Sequence, residues 1–316
     1  MINLEGQRIV MTGATGFIGR NVARYLLEQG AEVFALVRAE SKQRKLLPSH
    51  PRLTIVDGSM SQAEDCVSQI GYADGFLHFA WGGVNREEID SPIVQAANVE
   101  GSMTCLRAAH MLGCRVFMDA GSRVEYGITT DGTMEETMEC SPVNAYGRAK
   151  LEFAEKAEKF CRQHQMTFYH LRFFSVYGTG DHPWSIISTL VRELPLDHTV
   201  SLSACLHRWN FMDISDASRA VAELYRFSDL HQGECYRINV ASEDTRVLRE
   251  FVEEIHQICH HCGKLEYGTF IQAKEGALSV CPKVQLLKQL TEGTWQEQVS
   301  FEKGIRRMLE DKTEVK

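Results

Sequence analysis

Arg8-Ile9-Val10-Met11-Thr12-Gly13-Ala14-Thr15-Gly16-Phe17-Ile18-Gly19-Arg20 is the stretch that decides the fold of this chain. An apolar strand, Ile9 to Met11, runs straight into three glycines at every third position, and an amphipathic helix follows from Phe17 to about Glu28. Gly13 suits the tight turn, Gly16 lets the backbone approach a pyrophosphate, and Gly19 lets the helix pack against the strand. The free N–H groups of the helix N-terminus then face the phosphates. A glycine triplet alone is ordinarily just a turn; the strand before it and the helix after it point to dinucleotide binding.

Outward from this turn, strand and helix patterns alternate. Glu32 to Val37, Leu53 to Val56, Gly75 to Ala80, Arg115 to Asp119 and Thr167 to Phe173 read as strands, with helices over Val94 to Met111 and Val143 to Gln163. Short apolar strands separated by helices of ten or more residues predict a parallel sheet covered on both faces. After Phe174 the rhythm breaks. Gly178, Gly180 and Pro183 lead to a helix near Ser185 to Glu193, another over Asp216 to Arg226, a strand over Cys235 to Val240 and a last helix from about Phe301 to Glu310. The expected class is α/β: a Rossmann-type doubly wound parallel sheet with a smaller, mixed C-terminal substrate lobe. Residues 1–174 form the first unit in this reading, with about 211–240 returning to it, and 175–316 form the lobe.

With 316 residues there is ample length for such a core, and 44% hydrophobic and 24% charged residues are ordinary for a water-soluble domain. A formal charge of −8 opposes non-specific nucleic-acid binding and attraction to anionic membranes. No apolar run reaches membrane-spanning length, and because Met1-Ile2-Asn3-Leu4-Glu5 leads directly into the first strand, no signal peptide is expected. The ten cysteines have no disulfide-framework spacing, so reduced thiols in a cytoplasmic protein are expected. Cys259 and Cys262 with His256 have the spacing of half a zinc site, but no second ligand pair follows; the competing reading is a helix end capped by Gly263, and no metal is expected.

Tyr146 and Lys150 lie four apart in the long helix, on one face. An ammonium beside a phenol favours the phenolate, so the Tyr146 pKa is expected to fall. Such a tyrosine exchanges a proton with a substrate oxygen while hydride moves at the adjacent carbon. Ser122 follows the fifth strand, at the sheet edge where ligands bind in open parallel sheets, and its hydroxyl can donate to the same oxygen. Either signal alone is weak, because a solvated helix face and a turn-forming serine look the same.

Together these segments resemble the extended short-chain dehydrogenase/reductase family. The resemblance rests on Gly13, Gly16 and Gly19 at Gly-x-x-Gly-x-x-Gly spacing, His78-Phe79-Ala80-Trp81, Asn98 with Gly101, Ser122, Tyr126-Gly127 and the Tyr146/Lys150 pair. Leu171 to Gly178 and Arg208 to Asp216 resemble the nucleotide-sugar branch of epimerases, dehydratases and ketoreductases. The resemblance implies a catalytic set of Ser122, Tyr146 and Lys150. It implies cofactor contacts at Gly13, Thr15, Gly16, Phe17, Ile18, Gly19, Arg38, Ala80, Asn98, Tyr146, Lys150 and Phe173. Substrate contacts are expected at Trp81, Ser175, Trp184 and Arg208, the last as a diphosphate clamp; Trp81, Trp184, His182, Ser185, His207 and Trp209 are candidates for a pocket. The family also implies a homodimer paired through the helices around 97–113 and 146–163.

Two positions select the reaction. Dehydratases of this family carry an Asp-Glu pair after the catalytic Ser/Thr, where this chain has Arg123-Val124, with Glu125 one position later. At the end of the second strand an NAD-binding member places an acidic residue; here Val37-Arg38 stand there, with Lys42, Arg44 and Lys45 close by, a pattern similar to the NADP-binding flavonol-type reductases. A guanidinium fork suits a 2′-phosphate. The expected activity is an NADPH-dependent ketoreductase of a nucleotide-linked keto-sugar, with Tyr146 as general acid. The alternatives are an NAD(P)-dependent nucleotide-sugar epimerase and a non-catalytic NADP-binding redox sensor.

Overall fold

The computed structural model describes residues 2–85, 87–129, 133–270 and 279–313. Its first half alternates strand and helix: β1 (Arg8–Thr12), α1 (Phe17–Glu28), β2 (Glu32–Val37), β3 (Leu53–Asp57), the short α2 (Val67–Ile70), β4 (Gly75–His78), α3 (Pro92–Met111), β5 (Val116–Ser122), the two-residue β6 (Thr133–Met134), α4 (Ala145–His164) and β7 (Thr167–Phe173). The second half holds β8 (Ser175–Tyr177), α5 (Ile186–Glu193), β9 (Thr199–Leu202), β10 (Arg208–Asp213), α6 (Ile214–Arg226), β11 (Cys235–Val240), β12 (Thr245–Val247), α7 (Leu248–Ile258), β13 (Lys264–Tyr267), β14 (Cys281–Pro282), α8 (Gln285–Leu290) and α9 (Phe301–Thr313).

Seven strands form one sheet in the order β11-β7-β5-β4-β1-β2-β3, and every neighbouring pair is parallel. This is the doubly wound arrangement expected of alternating apolar strands and helices. The chain reverses direction across the sheet between β1 and β4, which opens a crevice at the carboxyl ends of those strands. Both faces are covered. Val22, Leu26 and Leu27 of α1 and Ala220, Val221 and Leu224 of α6 are buried on one side. Leu106 and Ala109 of α3 and Phe153 and Ala157 of α4 are buried with Phe76 and Phe117 on the other. Phe153 and Ala154 are fully buried, so they serve the core and are not free for a contact with a second copy.

The return to the main sheet is narrower than residues 211–240. β10 pairs with β8 and β12 in a separate three-stranded sheet, while α6 and β11 rejoin the large unit and Leu287 and Leu290 of α8 are buried in the same core. A third core, built from α5, α7 and α9 around Phe211, Phe251 and Phe301, supports that smaller sheet. Helix α7 ends at Ile258, short of the Gly263 cap that the sequence suggests. His260 and His261 take left-handed backbone, at φ 56° and 57°, and Gly263 follows at 74°. His256 Nε2 donates to the Gly263 carbonyl at 3.2 Å, so the ring closes this turn. Among the described residues no group of three or more His, Cys, Asp or Glu side chains is arranged to hold a metal ion, and no helix is long and apolar enough to cross a membrane.

Candidate active site

The glycine turn has the close approaches its spacing implies. Gly13 sits at φ 70°, and a Cβ there would run into the backbone of Phe79 and Ala80; one at Gly19 would strike the Gly13 carbonyl. Gly16 is the N-cap of α1 with no side-chain cap, and the first turn carries no acidic residue. The leading N–H groups are therefore left for an external anion, and the turn fits a dinucleotide phosphate. Thr15, Phe17 and Ile18 are partly buried at this mouth. Arg38 follows β2 with its side chain 69% exposed and only a loose 3.9 Å pairing to Glu40. Arg44 pairs with Asp57 at the end of β3, so Arg38 is the less committed cation.

The loop after β4 is pinned from beneath. The Ala80 N–H donates to Thr12 Oγ1, Thr12 lies 2.6 Å from His78 Nδ1, His78 Nε2 lies 2.9 Å from Ser102 Oγ, and Ser102 donates to the Asn98 carbonyl. Burial, with Lys150 nearby, lowers the His78 pKa to about 3. A neutral ring with its proton on Nε2 satisfies every link of this chain. Asn98 exchanges two 2.9 Å bonds with the Gly82 backbone, so its amide is spent on holding the loop. Trp81 Nε1 donates to Gln95 Oε1 at 2.9 Å, and Phe173 packs against Phe79 at 6.1 Å.

Ser122, Tyr146 and Lys150 converge at the end of β5. The strand continues three residues beyond Asp119, so Ser122 is its last residue and also caps the 3-10 turn Arg123–Tyr126. The Ser122 hydroxyl lies against the Tyr146 phenol, close enough to favour its ionised form. Asn144 caps α4 by accepting from the Gly147 N–H at 2.8 Å, which sets the helix phase that presents Tyr146 and Lys150. Lys150 is buried; its ammonium donates to the Ala120 carbonyl at 2.6 Å and stands 3.5 Å over the Trp81 ring. The Trp81 edge in turn meets Tyr146 at 6.1 Å.

This geometry corrects the expected charge tuning. Burial pushes the Tyr146 phenol up to about 12, opposed by the Ser122 hydrogen bond, instead of down toward neutrality. The Lys150 charge is held by Ala120 and the Trp81 face, and its ammonium stands 5.8 Å from the centre of the Tyr146 ring. Burial also lowers Lys150 to about 8, against the pull of Asp119 and Glu125. Burial thus favours the protonated phenol.

A buried polar cluster beneath the site has no sequence signal beyond its charges. Glu125 is fully buried; it accepts from the Ser122 N–H at 2.6 Å, from Arg172 Nε at 2.9 Å, and lies 2.9 Å from His170 Nε2. Asp119 completes it, 2.8 Å from His170 Nδ1. Burial alone would raise Glu125, but His170, Arg172 and the Ser122 N–H hold it at about 2. Burial would likewise lower His170, yet Asp119 and Glu125 raise it to about 9. Because an unfolded histidine titrates near 6.5, the stability His170 adds is full below about pH 6.5 and disappears as the pH climbs to about 9. Urea unfolding across that interval should therefore show the wild type weakening with pH, and His170→Gln should lack that slope.

The substrate-side candidates divide. Ser175, Trp184, Ser185, His207 and Trp209 line a cavity of about 400 Å³ in the smaller unit, with Phe211 and Phe270. His182 stacks on Trp184 at 4.4 Å. Trp81 is absent from this lining, since Gln95 and Lys150 hold it at the sheet edge. Arg208 is absent too: its guanidinium donates to the Thr245 carbonyl at 2.7 Å, along the edge of β12. The cation against Trp209 is Arg123, 4.7 Å above the ring.

Residues 9–241 match the model of the NAD dependent epimerase/dehydratase family. The chain belongs to that family. It is an enzyme of the extended short-chain dehydrogenase/reductase type. CDP-abequose synthase of Salmonella muenchen is 23% identical over 311 residues, covering 96% of this chain and 97% of that protein. UDP-glucose 4-epimerase of Corynebacterium glutamicum is 26% identical over 172 residues, 54% of this chain and about half, 52%, of that protein's length. The solved structure of MoeE5 in complex with UDP-glucuronic acid and NAD has a TM-score of 0.83 at 22% identity, over 98% of this chain and 100% of that one, which shows a shared fold. The family's function is of the nucleotide-sugar epimerase/dehydratase kind.

Proposed function

We propose that this family member is an NADPH-dependent ketoreductase acting on a nucleotide-linked keto-sugar. The observation that carries the reading is the convergence of Ser122, at the end of β5, with Tyr146 and Lys150 of α4, where burial favours the protonated phenol. Reduction of a carbonyl starts from a proton donor, whereas an epimerase starts by removing a proton. The bound nicotinamide supplies the hydride. Ser122 donates to the carbonyl oxygen, and Tyr146 gives that oxygen its proton as the carbonyl carbon is reduced. The Lys150 ammonium, fixed by Ala120, stabilises the charge left on the phenol. Gly13, Gly16 and Gly19 with the α1 N-terminus would hold the pyrophosphate, with Thr15, Phe17, Ile18, Ala80, Asn98 and Phe173 shaping the crevice. Elimination chemistry is disfavoured because Glu125 is consumed by Arg172, His170 and the Ser122 backbone.

Arg38 supports NADP over NAD: an exposed, loosely paired guanidinium at the end of β2 suits a 2′-phosphate. Arg38→Asp should weaken NADPH binding by roughly 10-fold or more while sparing NADH, a charge-assisted contact being lost. Fluorescence titration with both cofactors measures it; equal affinities in the variant and the wild type would remove Arg38 from the site. The function itself is tested by following NADPH absorbance with a panel of nucleotide keto-sugars. Consumption in proportion to substrate is the expected result. Nicotinamide retained through purification, with interconversion of sugar epimers and no net consumption, would favour the epimerase. A homodimer belongs to the same reading: Ile93 and Met111 at the two ends of α3 are 83% and 58% exposed, apolar surface that a second copy would cover.

A further inference from the structure

Arg123 occupies an unusual place. It follows Ser122 directly, starts the 3-10 turn at the end of β5, and lays its guanidinium on Trp209 of the smaller unit. It thus bridges the proton-transfer groups on one side and the aromatic cavity on the other. Among the described residues no carboxylate pairs with it, and its guanidinium makes no hydrogen bond to the protein. Burial lowers its pKa to about 10, and its charge lowers the neighbouring His207 in turn. Arginine in a partly buried position is ordinarily paired, because an uncompensated charge there is costly.

The cavity explains what the charge is for. Its lining mixes the aromatic Trp184, Trp209, Phe211 and Phe270 with aliphatic side chains, serines and His207; it holds no lysine or arginine, and Arg123 stands beside it, against the Trp209 ring. Asp181, half-buried at its edge, is pushed up by burial and adds no positive field. The other arginines of this region are engaged: Arg208 with Thr245, Arg249 with the Ala204 carbonyl, and Arg246 with Asp244 and Glu254. A nucleotide-linked sugar brings at least one oxyanion, and Arg123, on the Trp209 wall of this space, is a cation without a counter-charge among the described residues.

We propose that Arg123 is an oxyanion-binding residue of the substrate site, holding a phosphate or a sugar carboxylate on the face of Trp209 next to the reacting carbon. The inference rests on the nucleotide-sugar reading above and adds to it a named residue and a substrate chemistry. A guanidinium 4.7 Å from the indole centroid, with no protein acceptor among the described residues, keeps its N–H groups for two parallel bonds to an oxyanion, which an ammonium cannot reproduce.

Calorimetric titration of the NADP-loaded protein with UDP, UDP-glucose and UDP-glucuronic acid, alongside CDP-glucose and dTDP-glucose, tests this. Arg123→Gln should bind the responsive ligands about 10- to 100-fold more weakly, as expected for the loss of a charge-assisted pair. Arg123→Lys should fall between, and both variants are compared at matched thermal midpoints. If Arg123→Gln does not fold, the Arg123→Lys deficit alone is read. A loss shared by UDP and all the sugars assigns the oxyanion to the diphosphate; a loss confined to UDP-glucuronic acid assigns it to the sugar carboxylate. Unchanged affinities in both variants, with a wild type that binds, would overturn the role of Arg123 and leave the nucleotide-sugar reading intact. A wild type that binds none of the five ligands would bring down both.

Discussion

Tyr146→Phe should lower turnover about 1,000-fold, in the middle of the range for a positioned general acid. NADPH affinity should be unchanged. The substitution removes one oxygen and keeps the ring that packs edge-on against Trp81, so the helix face and the Lys150 cradle persist. What disappears is the proton source hydrogen-bonded to Ser122. Burial pushes the phenol up to about 12, which favours keeping this proton until a strongly basic alkoxide develops beside it. NADPH consumption with a nucleotide keto-sugar, read beside a cofactor titration of the same preparation, checks the prediction. Turnover within a few-fold of wild type would mean that the proton comes from elsewhere.

Glu125→Ala should produce the largest loss of stability of any single change near the site, about 3–5 kcal/mol, the typical cost of removing one partner from a buried ion pair. Arg172 and the protonated His170 would both lose their counter-charge inside the protein, and the Ser122 N–H its acceptor. Glu125→Gln should cost less, since the amide oxygen can still accept one of these bonds. Urea unfolding at pH 7 provides the measurement. A cost below about 1 kcal/mol would show that the cluster relaxes without its carboxylate and does not fix the end of β5. Turnover per folded molecule should fall too, because Ser122 is aimed by the capping bond that Glu125 accepts.

Much of the molecule is legible in local pattern. The glycine turn, the alternation of apolar strands with amphipathic helices and the i, i+4 pair of Tyr146 and Lys150 each depend on residues a few positions apart. The backbone follows them closely: α1 starts at Phe17, α4 at Ala145, and β7 covers Thr167–Phe173 as read. The boundaries that moved did so for tertiary reasons. β5 runs on to Ser122 because β7 continues beside it, pairing Ser122 with Phe173. Helix α7 stops early because two histidines turn left-handed ahead of Gly263.

Charge was harder to read than shape. Arg208 looked like a clamp from its place in a motif, yet the edge of β12 takes its guanidinium, and Arg123 reaches Trp209 instead. The Tyr146 shift ran opposite to the one its spacing suggests, because desolvation outweighs proximity on a helix face. The partners of Glu125 are 45 and 47 residues away in sequence, on a strand that gives no hint of them. Sequence by itself determined the parallel sheet, the close-packed glycine turn ahead of α1 and the placing of Tyr146 and Lys150 on one helix, since hydrophobic period, glycine freedom and helical spacing are local properties. Only the tertiary structure decided which charges are paired, which are spent on backbone and which remain open to a ligand, since Coulomb energy and desolvation depend on neighbours that only folding brings together.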